Sequence, residues 1–135
     1  MQKNFDKFII RSKSEPDFLE YIERLVTFGN FPENVHIFWC FLFERSISSF
    51  CQYTNDLEKI QIKLLAVCLY ISQKILLDFD MKLLDISYLL GFAPLLINNL
   101  ELILMKDILN YEIGYSNEKV VEFWRSKAIT YTHVW

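Results

Sequence analysis

The sequence predicts an all-α domain built around a buried third helix, and three observations carry that prediction. Apolar residues recur at helical spacing in one segment after another, while no useful stretch alternates apolar and polar as a strand does. Three glycines and three prolines in 135 residues leave little punctuation, which favours helices joined by short loops. The run from Leu64 to Ile71 is apolar all round, and a helix of that kind must be covered on several sides.

The elements follow in order. "SEPDFLEYIERLVTF" offers Ser14 as an N-cap, with Pro16 and two acids in the first turn. Phe18, Leu19, Ile22, Leu25 and Val26 form its apolar stripe. Gly29-Asn30 ends it and Pro32 starts the next segment. "PENVHIFWCFLFERSISSF" is the second helix, with Val35, Phe38, Trp39, Leu42 and Phe43 on one side. "NDLEKIQIKLLAVCLYISQKILL" is the third. "DMKLLDISYLLGF" gives a short fourth, stopped by Gly91. "APLLINNLELILMKDILNYEI" gives a fifth starting near Pro94, and "SNEKVVEFWRSKAITY" opens a sixth at Ser116.

Composition narrows the function classes. A chain of this length fits one domain, and 53% hydrophobic residues supply ample core and argue against disorder. A formal charge of -3 with no long Lys/Arg stretch argues against a nucleic-acid surface. Cys40, Cys51 and Cys68 make an odd count without C-x-x-C spacing, as expected of a reducing, intracellular setting (nucleus or cytoplasm). The N-terminus lacks signal-peptide features, and no apolar run approaches membrane-spanning length.

Catalytic signatures are missing. There is no P-loop, G-x-G-x-x-G turn or G-x-S-x-G elbow. His36 and His133 lie far apart without metal-ligand spacing, so no metal or cofactor is expected; His36 reads as a helix-surface residue. The carboxylates Glu15, Asp17, Glu20 and Glu23 fit helix starts and polar faces. Cys51 has no histidine beside it in any nucleophile motif. What remains unexplained is two charges at the edges of apolar stretches: Lys74 after the third helix's greasy run, and Glu101 inside "LLINNLELILM". Either both face solvent, Lys74 snorkelling its stem along apolar neighbours, or they form a polar pair at the centre of a partner surface.

The order of motifs resembles the cyclin box, most closely that of single-box, phosphate-response cyclins of fungi and protists. "YIERL" (Tyr21 to Leu25) is similar to that group's Tyr-apolar-x-Arg-apolar opening, and "FLFERSI" with Arg45 to its next arginine stretch. "KLLAVCLYISQKI" resembles the helix that ends in the box's lysine, here Lys74. "LLGFAPLLINNLELILM" is similar to the Gly-rich turn followed by Asn-x-Leu-Glu, with Glu101 at the glutamate. "LNYEIGYSNE" resembles the exit from the last box helix. The matches run over about residues 17 to 124. Three departures accompany them: one extra residue between Glu101 and the Tyr111-x-Ile113 exit, a displaced asparagine at Asn98-Asn99, and Lys63 where the group has arginine.

The resemblance implies a single cyclin box at residues 16–124, a five-helix bundle around its third helix, with an N-terminal segment at 1–15 and a C-terminal helix and tail, the tail at 125–135. It implies a non-catalytic subunit that forms a heterodimer with a cyclin-dependent protein kinase, without nucleic acid or membrane. Lys74 and Glu101 would bind backbone groups of the kinase's regulatory helix, while Ile75, Met105, Tyr111 and Ile113 would supply apolar contacts. The competing expectation is a cyclin-fold adaptor that binds a non-kinase protein such as a transcription component.

Overall fold

The computed structural model describes residues 17–50, 57–77 and 79–108. Residues 1–16, Cys51, Tyr111, Ile113, Ser116 and His133 lie outside this set, and with them the expected N-cap at Ser14, the sixth helix and both terminal segments. Among the described residues the chain is all-helical: α1 (Phe18–Gly29), α2 (Glu33–Phe50), α3 (Leu57–Leu76), α4 (Leu83–Leu90) and α5 (Pro94–Ile103). A single π-helical turn, Leu104–Ile108, continues α5. No single described helix is long and apolar enough to cross a membrane.

The expected central helix is present. From Ile60 to Gln73 every α3 side chain except Gln61 is buried, because α1, α2 and α5 pack around it. The α4 helix packs on α1 and α5, and the π turn on α2 and α5. Trp39, fully buried, fixes α2 to the middle of α3 by donating from Nε1 to the Leu65 carbonyl at 2.9 Å. Burying large apolar side chains is the main stabilising contribution here, roughly 1.5–3 kcal/mol for each one fully removed from water.

The first helix differs from expectation in two details. It begins at Phe18 with Asp17 in extended backbone at the N-cap, rather than including Pro16 in its first turn. Its buried stripe is Tyr21, Ile22 and Leu25, while Leu19 is 57% exposed. Tyr21 displaces Leu19 because its hydroxyl donates to the Leu90 carbonyl at 2.5 Å, so a polar tip is satisfied inside the core. Asn30 ends α1 in the left-handed conformation, φ 49°. The expected fifth helix also divides: regular α geometry stops at Ile103 and the π turn follows.

Gly91 ends α4 as the sequence implies, with φ 79° and its N–H donating to the Ser87 carbonyl at 2.9 Å. A Cβ there would meet only the Arg24 guanidinium at 3.4 Å, so backbone strain dominates the effect of adding one. Gly91→Ala is expected to cost about 1 kcal/mol, read as a lower urea midpoint with unchanged helix content.

His36 is half-buried against Trp39, with ring centres 6.2 Å apart, and is not the surface residue expected. Burial lowers its pKa, with the Glu33 charge acting in the opposite direction. The unfolded chain therefore takes up this proton first as pH falls. His36 contributes stability above the unfolded value of 6.5, and the contribution is lost as pH falls through that value towards the folded one. His36→Leu is expected to flatten the drop in urea midpoint between about pH 7.5 and pH 5.5 relative to the unaltered chain.

Candidate functional site

The polar end of α3, Ser72-Gln73-Lys74, divides into two buried residues and one exposed one. Ser72 donates to the Cys68 carbonyl at 2.7 Å, which satisfies its hydroxyl within its own helix. Gln73, fully buried, uses both ends of its amide. Its Oε1 accepts the Met81 N–H at 2.7 Å, and its Nε2 donates to the carbonyls of Tyr70 and Met81, each at 3.2 Å. Gln73 thereby ties Met81, on the far side of the α3–α4 loop, back to the last turn of α3. Phe79, on that loop, is 97% exposed.

Lys74, one residue further round the helix, points outward. Its Nζ lies 2.8 Å from Glu101 Oε2, and the two side chains are 38% and 24% exposed. The pair joins the last turn of α3 to the last turn of α5 across 27 residues of sequence. Tyr70, one turn earlier on α3, places its ring centre 4.7 Å from Nζ. Burial acts against the charge of Lys74, but the hydrogen bond and charge of Glu101, assisted by Tyr70, outweigh it. The ammonium is thus held above the ordinary lysine pKa.

The other expected contact residues divide. Ile75 is 46% exposed beside Lys74. Met105 is only partly available, since it sits in the π turn and packs against the core. Tyr111 and Ile113 fall outside the described residues. Leu102, which follows Glu101 in the chain, is 57% exposed, and no motif pointed to it. Gln73 and Tyr70 were also missed. The i, i+4 spacing of Tyr70 and Lys74 was legible, whereas nothing local marked Gln73 as a loop clamp.

Elsewhere the chemistry is sparse. Cys40 and Cys68 are buried free thiols, and burial pushes the Cys68 thiol up to about 12 and raises Cys40 as well. No group of His, Cys, Asp and Glu able to hold a metal occurs among the described residues. A shallow cleft of about 340 Å³ at the α4–α5 corner is lined by Leu84, Tyr88, Phe92 and their neighbours, and its lining offers hydroxyls but no carboxylate or amine.

No family model, curated protein or solved structure matches this chain. The cyclin resemblance therefore rests on the order of the sequence motifs alone.

Proposed function

We propose that this chain is a cyclin-like regulatory subunit that binds a cyclin-dependent protein kinase and holds its regulatory helix in the active position. The observation that carries the reading is the Lys74–Glu101 pair. The two residues that the resemblance assigns to docking meet at the surface at 2.8 Å, from the two helices the resemblance requires. The π turn adds support. It takes one residue more than an α turn and falls at Leu104–Ile108, between Glu101 and Tyr111, where the chain has one residue more than the cyclin pattern.

The pair selects its partner by charge. It is neutral as a unit, so a charged partner group is attracted by one member and repelled by the other. Neutral backbone groups suit both: a carbonyl accepts from the Lys74 ammonium, and an N–H donates to the Glu101 carboxylate. Such charge-assisted bonds are about twice as strong as neutral ones. Ile75 and Leu102, which follow Lys74 and Glu101 in the chain, are exposed apolar residues; in the proposed complex such surface supplies affinity while the polar bonds set orientation. A chain that binds only the inward position of the kinase helix shifts the kinase towards it. The kinase then aligns its own lysine–glutamate pair for phosphoryl transfer.

Affinity capture from native lysate at low salt, read by mass spectrometry, tests the proposal. A cyclin-dependent kinase is expected among the captured proteins. Its absence overturns the kinase reading. Capture of a transcription component that survives Lys74→Ala with Glu101→Ala favours the adaptor.

A further inference from the structure

Tyr70 is the third member of the charged site. It lies one helical turn before Lys74, is 5% exposed, and faces the ammonium with its ring centre 4.7 Å from Nζ. Taking the pair as a docking site, we infer that Tyr70 is a positioning residue: its ring and the Glu101 carboxylate together hold the Lys74 ammonium at one place on the surface.

A lysine ammonium is a compact charge on a flexible four-carbon stem, and an exposed ion pair by itself restrains it weakly. Glu101 fixes one direction, with its Oε2 2.8 Å away. The Tyr70 ring, whose negative face attracts the cation, closes a second. Because the ring is buried it cannot swing aside as an exposed aromatic would. The Tyr70 carbonyl is also held, accepting from Gln73 Nε2 at 3.2 Å, so the loop clamp and the ring belong to one rigid turn of α3. With two sides taken, the remaining Lys74 donors face outward, where the side chain is 38% exposed. The partner then meets a charge already in place and avoids the cost of ordering it.

Side-chain NMR on the free full-length chain tests this. The readouts are the two Lys74 ε-methylene proton shifts and the relaxation of Nζ, the second being insensitive to ring currents. In the unaltered chain the two ε protons are expected to be distinct and the ammonium slowed. Glu101→Gln, which keeps the ring but removes the charge, is expected to weaken both signatures without abolishing them, and Tyr70→Phe is expected to retain both. Tyr70→Leu is expected to lose both while backbone spectra stay folded. Unchanged Nζ relaxation in Tyr70→Leu overturns the inference, and so does full loss of restraint in Glu101→Gln. Should Tyr70→Leu fail to fold, Tyr70→Met, which keeps most of the volume without an aromatic face, is read in its place with the same expected loss. A negative result here counts against Tyr70 only, since no partner is present. The kinase reading stands or falls by affinity capture.

Discussion

Replacing Lys74 and Glu101 together by alanine is expected to leave the fold intact and weaken kinase binding by about 2 kcal/mol or more, a factor of about thirty. The two halves of this expectation rest on different physics. With side chains 38% and 24% exposed, the pair is partly solvated, and such ion pairs contribute about 0–1 kcal/mol to folding. In a complex the same groups are desolvated and matched to partner groups, so truncation removes bonds and leaves those groups buried without partners. Calorimetric titration of the captured kinase, alongside urea denaturation of the free chain, separates the two. Unchanged binding in a folded double variant sinks the docking role, and loss of folding makes the pair structural.

The single variants sharpen the test. Lys74→Ala leaves Glu101 as an unbalanced negative charge, and Glu101→Ala leaves Lys74 unbalanced. If the partner presents neutral backbone groups, each single change weakens binding, and the double change costs less than the sum of the two. A partner that presents a carboxylate to Lys74 behaves differently, because Glu101→Ala then strengthens binding by removing a repulsion.

The residues differ in how far local pattern could reveal them. The helices and the central position of α3 were legible because apolar periodicity reports directly on burial, as the all-round apolar run from Leu64 to Ile71 does. Gly91 and Pro94 were legible because each satisfies a backbone requirement of its own. Lys74 and Glu101 stood out as charges in apolar text, but their meeting depends on how α3 and α5 pack, which no local pattern encodes. The sequence offered them as a possible pair, and the order of motifs favoured that reading over two solvent-facing charges. Leu19 and Tyr21 exchanged roles because a hydroxyl found the Leu90 carbonyl, a partner 69 residues away. Gln73 stayed hidden although its partner Met81 is only eight residues away, because local pattern does not show how the loop between them folds back. A glutamine at a helix end reads as solvated until the loop it closes is seen.

Trp39→Ala is expected to lower stability by about 3–5 kcal/mol, the usual range for emptying a buried aromatic site. Trp39 is fully buried, and its Nε1 reaches the Leu65 carbonyl at 2.9 Å, halfway along α3. The change therefore opens a cavity between α2 and α3 and removes the bond that sets their relative position. A domain of this size has about 5–15 kcal/mol in total, so the loss takes a large share of it. Trp39→Phe separates the two contributions. It keeps much of the volume and loses the N–H, while the Leu65 carbonyl retains its place in the helical ladder, so a smaller loss is expected. The functional consequence follows from α3 being the element that carries Tyr70, Gln73 and Lys74. Trp39→Ala should also loosen the Lys74–Glu101 pair, seen as weaker restraint of the Lys74 ammonium at temperatures where the chain remains folded. If urea midpoints show a cost below about 1 kcal/mol, far under the range for a buried tryptophan, α2 is not packed on α3 as described.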